Sequence, residues 1–459
     1  MPSDQGTFDS LRDFPAVEIA AGYPEFAPYI TRLTRPLVIE TIKRVIDDLK
    51  TGFREKNKAC GREILVREII RELRRLDSLN LTPVLNGTGI VIHTNLGRSP
   101  LSPEIVKQAI PMLSGYSNLE FNVLNGNRGK RGILVEKLLA TLCETESGTI
   151  VNNNAAALFI ILNTLANRKE VIISRGELVQ IGGGFKIPEI MARAGAKLVE
   201  VGTTNRTSID DYRAAITDRT RMILKVHRSN FVQKGFVAEA PIREIADLCR
   251  EHRIISVNDL GSGLLSFPSG IHITEEPDIR ESVRGGADLT CFSGDKLLGS
   301  AQAGLIAGKS DLIAKIKKNP LFRAIRCDKI VFSITTQVLA SYLNGTQNDD
   351  IPIWKAIMLP VTKLKLRGEK ILSAVGKKDI ILRATQAMLG GGTTPDKTIP
   401  SLALSIRPTM QPNALAKKFR EYDPPIIGRV EDEVFYIDLR TIPEEFDDII
   451  ISAINELVK

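Results

Sequence analysis

The chain has no C-x-x-C pair, no two histidines at helical ligand spacing and no apolar run long enough to span a bilayer. Its five cysteines, Cys60, Cys143, Cys249, Cys291 and Cys327, are odd in number and widely scattered, which excludes a disulfide framework or a thiolate zinc site and leaves ordinary reduced thiols. The four histidines, His93, His227, His252 and His272, stand far apart, so a histidine-built metal centre is not expected. Apolar runs such as Ala155 to Leu162 are too short for a membrane helix. The N-terminal segment carries Asp4, Asp9 and Asp13 and no apolar block behind a basic start, so it does not read as a secretory leader; a cytoplasmic protein is expected.

What is present fits a globular enzyme. The 459 residues suffice for two or three domains with their own cores, and 43% hydrophobic with 25% charged residues argues against disorder or a fibrous repeat. The net charge of +8 permits a polyanionic partner without requiring one.

Three stretches with different periodicities divide the chain. Residues 36–50 place Val38, Ile42, Val45, Ile46 and Leu49 on one helical stripe after Pro36, and residues 61–76 do the same with Ile64, Leu65, Ile69, Leu73 and Leu76. The second stripe turns Arg67, Arg71, Arg74 and Arg75 outward, and residues 1–80 are expected to form a helical domain. From about residue 150, short β-rich runs at 171, 197, 222, 254, 289 and 303 alternate with helical stretches, which predicts an α/β domain over 81–330 with a mostly parallel sheet. A small α+β domain is expected over 331–459, with SLALSI and EVFYIDLR as strands.

Candidate chemistry lies in the middle stretch. Lys296 sits in SGDKLLGSAQAG, just past a β-run in a turn of small residues, where an amine can be held for a Schiff base. Upstream, VNNNAAAL follows an apolar strand and opens a helix, so Asn154, Ala155 and Ala156 are candidates to hold a phosphate at a helix N-terminus. Between them Asp259, in NDLGSG, ends a β-run at the carboxyl edge of the sheet, where ligands of α/β folds bind. A carboxylate there suits a protonated pyridine nitrogen. Singly, these are an ordinary lysine, an asparagine N-cap and a structural ion pair. In the order phosphate loop, aspartate, lysine, with 37 positions from Asp259 to Lys296, they resemble the fold-type-I pyridoxal-phosphate enzymes. In that fold a serine three residues before the lysine helps bind phosphate, and Ser293 occupies that place.

Longer segments narrow the resemblance. NGTGIVIHTNLGRSPLS (86–102), NNNAAA (152–157), SRGELVQIGGGFKIPE (174–189), EVGTTNRT (200–207), KVHRSNF (225–231), LFRAIRCDK (321–329) and IIGRVEDEVFYIDLR (426–440) resemble the bacterial selenocysteine synthases, L-seryl-tRNA(Sec) selenium transferases, over nearly the whole chain. The resemblance implies pyridoxal 5′-phosphate on Lys296, a seryl selenocysteine tRNA as substrate, a dehydroalanyl-tRNA intermediate and selenophosphate as selenium donor. It implies that the freed Lys296 amine takes the α-proton, with Asp295 as the adjacent acid for the departing hydroxyl. It places Arg98, Arg323 and Arg326 at the donor anion, and Thr203, Thr204 and Asn230 near the donor or cofactor pocket. It also implies tRNA docking by the N-terminal domain and a homo-oligomer assembled from dimers into a ring.

Several positions depart from the family pattern: Arg228 replaces the threonine of KVHTSNF, GSAQAG replaces GGPQAG, and Gln180 and Lys186 replace glutamate and arginine. The alternative reading is a pyridoxal-phosphate lyase or β-replacement enzyme acting on a free amino acid or sugar amino acid, as shorter relatives do. The helical N-terminal domain argues against it.

Overall fold

The β-branched runs of the middle stretch are the strands of one sheet in the computed structural model, which describes residues 7–8, 10–56, 60–181, 184–229, 231–265, 276–390, 394–407 and 409–458. These strands are Ser147–Val151 (β1), Glu170–Ser174 (β2), Lys197–Val201 (β3), Thr220–Val226 (β4), Ile255–Asp259 (β5), Leu289–Ser293 (β6) and Gly304–Gly308 (β7). Their order across the sheet is β1-β7-β6-β5-β4-β2-β3. Neighbours from β6 to β3 pair in parallel, whereas β7 runs antiparallel to both β6 and β1. Strands β5, β6 and β7 are buried along their whole length, as expected of a sheet covered on both faces. Because β7 alone is reversed, the carboxyl ends of β1, β5 and β6 lie on one edge of the sheet.

Two compact units make up the chain, Met1–Val84 and Leu85–Lys459. In the first, the helices Arg35–Lys56 (α1) and Arg62–Asp77 (α2) bury Val38, Ile42, Val45 and Ile46 with Leu65, Ile69 and Leu73, on the stripes the periodicity predicts. Arg67, Arg71 and Arg75 face solvent, but they interleave with carboxylates: Arg71 is 2.6 Å from Glu68, and Arg75 and Arg44 are 3.3 and 3.1 Å from Glu72.

The second unit differs from the division expected at residue 330. A five-stranded sheet of the C-terminal region, built on the hairpin Ile380–Gly390 and Thr394–Ile406, takes Ile90–Ile92 as its edge strand. Leu85–Asn86 likewise pairs with Ile426–Ile427. One apolar core joins Val91, Leu139, Phe292, Leu297 and Trp354 to Ala387 and Leu389, so the two sheets are packed through shared side chains. Among the described residues, no helix is long and apolar enough to cross a membrane.

Candidate active site

The carboxyl edge of the sheet gathers the sequence candidates from three strand ends. After β1, Asn153 caps the helix Asn154–Leu165 (α3), its side chain accepting from the Ala156 N–H at 2.8 Å. That bond commits the Ala156 donor. The N–H groups of Asn154 and Ala155 belong to the first turn and have no acceptor within the helix. Gly304 of β7 passes so close to this turn that a Cβ would overlap the Asn153 carbonyl oxygen, which explains the glycine of AQAG.

Asp259 ends β5, and its Oδ1 accepts from Asn154 Nδ2 at 2.8 Å. Burial pushes the Asp259 carboxyl up to about 6, while the Asn154 bond and the Lys296 charge oppose that shift. Beyond it, Gly263 stands at a φ of +70°, where a Cβ would overlap the Ser293 carbonyl oxygen, so the DLGSG loop is drawn tightly onto the end of β6.

Lys296 follows Ser293 in a turn fixed on every side. Leu297 N donates to Ser262 O at 3.0 Å, Ser300 N to Gly294 O at 2.8 Å, and Tyr342 OH to the carbonyls of Leu297 and Leu298, while Trp354 Nε1 donates to Tyr342 OH at 2.6 Å. The lysine is 8% exposed. Burial depresses its basicity, and the Arg98 charge adds to this, against the pull of Asp259, Asp295 and Glu276. Its Nζ lies 3.9 Å from the point where a Cβ on Gly261 would stand, so that glycine leaves the amine room.

Arg98 is reached from the other side. Its Nη1 is 2.7 Å from Asp295 Oδ2, and Ser99 N donates to the Asp295 carbonyl at 3.2 Å. Arg98 holds a φ of +66°, a left-handed conformation that costs a non-glycine residue about 1 kcal/mol or more.

The remaining candidates divide. Arg326 is tied to the cluster by main chain, since it bridges Val151 at the end of β1, and its Nη1 is 3.3 Å from Glu120 Oε1. Arg323 ends the short 3-10 helix Pro320–Arg323 and is exposed. Thr203 and Thr204 lie in the turn after β3; Thr203 Oγ1 bonds within that turn, and the Thr204 carbonyl accepts from Gln233 Nε2 at 3.1 Å. Asn230 lies outside the described residues.

Residues not singled out from sequence complete the pocket. His227 directly follows β4, donates its N–H to the Asp259 carbonyl at 3.0 Å, and has its Nδ1 3.7 Å from Glu276 Oε1. Burial pushes the His227 imidazole down to about 4, so it is neutral at pH 7. The strand-end rule that picked Asp259 applies equally to His227 in KVHRSNF; Glu276 lies in no motif. Glu177, fully buried, accepts from Val226 N at 2.9 Å and Lys225 Nζ at 3.2 Å and so anchors the end of β4. Asn154 Oδ1, His227 Nδ1 and Ser262 Oγ are buried without hydrogen-bond partners, although buried polar atoms normally have one. Three such atoms on the segments that carry Asp259 and Lys296 leave polar groups there for a ligand to satisfy.

Comparison with known proteins places the chain in a family. A family model described as L-seryl-tRNA selenium transferase matches residues 84–443. The L-seryl-tRNA(Sec) selenium transferase of Campylobacter fetus subsp. fetus is 38% identical over 97% of this chain and 98% of its own length. That of Carboxydothermus hydrogenoformans is 41% identical over 95% of each chain. Among solved structures, a D-glucosaminate-6-phosphate ammonia-lyase superposes with a TM-score of 0.60 at 20% identity, covering 83% of this chain and 97% of its own, a likeness of fold.

Proposed function

Because the chain belongs to the L-seryl-tRNA selenium transferase family, we infer that it converts the serine carried by selenocysteine tRNA into selenocysteine, with pyridoxal 5′-phosphate as cofactor. The observation that carries this reading is the buried Asp259 and Lys296 on one sheet edge, with the half-buried Asn154 bonded to Asp259. The lyase reading rests on likeness of fold alone, whereas the transferases match over nearly the entire length.

The residues present fit the cofactor. Lys296 offers a buried amine for its aldehyde, Asp259 a carboxylate for its ring nitrogen, and the first turn of α3 with Ser293 a cradle for its phosphate. When bound, pyridoxal phosphate supplies the sink for the electron pair left by loss of the α-proton. The protein does the rest. Lys296 Nζ, its basicity lowered by burial, is neutral in a larger fraction at neutral pH than a free lysine and accepts that proton. Asn154 holds Asp259 in place, and His227 stays neutral and adds no competing positive charge.

Asp295, one residue from Lys296, is the proposed proton donor to the departing hydroxyl and also fixes the Arg98 guanidinium. Arg98, Arg323 and Arg326 are assigned to selenophosphate, since planar guanidinium groups pair with anion oxygens in a way that lysine cannot. The helical unit is assigned to tRNA docking. A homo-oligomer built from dimers is proposed from the family resemblance, with the strongly exposed Tyr116, Val123 and Leu124 as apolar surface that a second copy would cover, and the cytoplasm is the proposed location.

The deciding test incubates the full-length protein with serine-charged selenocysteine tRNA and labelled selenophosphate. Label should enter the aminoacyl group with the wild type and not with Lys296→Ala, and borohydride should fix cofactor to the wild-type lysine alone. Ammonia release from free amino acids without any transfer to tRNA would replace this reading with the lyase.

A further inference from the structure

Residues 231–239, between β4 and the helix Ile242–His252, form a loop that is pinned in place yet presents aromatic rings to water. The pins are Gln233 Nε2 to Thr204 O at 3.1 Å, Asn205 Nδ2 to Phe236 O at 2.6 Å, Ala238 N to Asn205 O at 3.0 Å and Thr207 N to Ala238 O at 3.0 Å. Phe236 is nonetheless 89% exposed, and Phe231 42%. Because the main chain of the loop is already held, little further backbone freedom is lost on meeting a ligand, which favours a recognition role over mere surface.

The loop starts at the catalytic group. Ser229 Oγ and Lys296 Nζ lie 3.5 and 3.9 Å from the same point above Gly261, and Phe231 follows Ser229 by two residues, at most about 7 Å of chain. Its charges are uneven. Arg228 pairs with Glu239 at 3.4 Å and Arg175 with Glu200 at 3.1 Å, but among the described residues no carboxylate pairs with the exposed Arg206 or Lys234. Arg206 bridges Ala238 by main chain, so both uncommitted cations belong to the platform that carries the rings.

Exposed rings interleaved with free cations suit single-stranded nucleic acid: bases stack on the rings, and phosphates meet the cations. A small anionic donor would use the cations and leave the rings idle. A second copy of this chain would use the rings and leave the cations idle. We propose that this loop is a stacking platform for the single-stranded 3′ end of the charged tRNA, with Phe231 and Phe236 taking nucleobases and Arg206 and Lys234 the phosphates. The proposal rests on the reading of a seryl-tRNA substrate. It gives the turn of Thr203 and Thr204 a structural duty, since the Thr204 carbonyl and Asn205 hold the loop.

The test uses full-length, cofactor-loaded enzyme and selenocysteine tRNA whose 3′-terminal adenosine is replaced by 2-aminopurine. Binding should quench the fluorescence; Phe236→Ala with Phe231→Ala should abolish the quench, and Phe236→Tyr should keep it. The double variant, which removes two stacked bases, should bind intact charged tRNA roughly 30-fold to 20,000-fold more weakly, yet bind tRNA trimmed of its 3′ single strand as the wild type does. Phe236 is solvated and Phe231 partly so, and neither belongs to an apolar core cluster, so the substitutions should leave folding and cofactor content in place, checked by thermal unfolding and cofactor absorbance. Equal affinity of wild type and double variant for intact tRNA would overturn the proposal, as would a fall in assembly mass by light scattering with the quench retained, which would make the loop a contact between copies. Failure of the wild type to bind intact or trimmed tRNA would instead sink the transferase reading itself.

Discussion

Asn154 Nδ2 donates to Asp259 Oδ1 across 2.8 Å and thereby ties the first turn of the helix that follows β1 to the end of β5, three places from β1 in the sheet order. The bond keeps charge on a carboxylate that burial alone would neutralise. In the unfolded chain the Asp259 carboxyl releases its proton near 3.8, in the folded protein near 6. Between these values the folded state binds more protons, so cofactor-free protein should lose stability as pH rises from about 4 to about 6, by roughly 3 kcal/mol from this group. Thermal unfolding of the apoprotein across that window should show the decline, and Asp259→Asn should flatten it while weakening cofactor retention. A pH dependence identical in the mutant would show that Asp259 does not set it.

Removing the bond from its other end is a separate expectation. Asn154→Ala leaves Asp259 buried without its carboxamide donor, and loss of a hydrogen bond to a charged group costs about 1.5–3 kcal/mol. Cofactor should dissociate about tenfold to a hundredfold more readily on dialysis, followed by absorbance, with no change in tRNA affinity. Unchanged retention would mean that Asn154 serves only the helix.

Legibility in the sequence followed chain distance. Lys296, Asp259 and Asn154 were readable because each follows a short apolar run and their order along the chain sufficed; no pairing had to be known. The six runs from 171 to 303 are all strands. The reversal of β7 was not readable, since its GLIAG run carries no mark of direction. Nor was the capture of Ile90–Ile92 by the C-terminal sheet, a pairing with Met388 and Gly390 across some three hundred residues. Glu276 and the exposure of Phe236 became visible only once distant segments were brought together.

Donor use should separate from cofactor use. Arg98→Ala, Arg323→Ala and Arg326→Ala each remove a positive charge proposed for selenophosphate and none proposed for the cofactor, so each should cost about 1.5–3 kcal/mol in selenium transfer with cofactor content unchanged. Arg326 is also held by Glu120, so Glu120→Gln should produce a smaller defect of the same kind by loosening it. Normal donor saturation kinetics in all three arginine variants would remove them from the donor site.

Asp295 is asked to do two things, and one substitution distinguishes them. Asp295→Asn keeps an oxygen able to accept from Arg98 Nη1 but has no acidic proton to give. Hydroxyl loss from seryl-tRNA measured without donor should slow by about a hundredfold or more, the usual contribution of a general acid. Donor affinity should change little. A normal rate of hydroxyl loss would leave Asp295 with only the positioning of Arg98.

The helical unit bears on whether tRNA recognition is separable from catalysis. Its compact boundary at Val84 sets the deletion: Leu85–Lys459 retains the phosphate cradle, Asp259, Lys296 and all strands of both large sheets. That fragment should stay folded and hold cofactor. It should lose preference for selenocysteine tRNA, because the exposed Arg67, Arg71 and Arg75 go with the deleted unit. Glu68 and Glu72 neutralise part of that face, so recognition should lean on tRNA shape, and affinity should fall with salt less steeply than for a purely basic surface. Gel-shift titrations of full-length and truncated protein at two salt concentrations read both quantities. Equal binding by the two proteins would move tRNA docking out of this unit and onto the larger one.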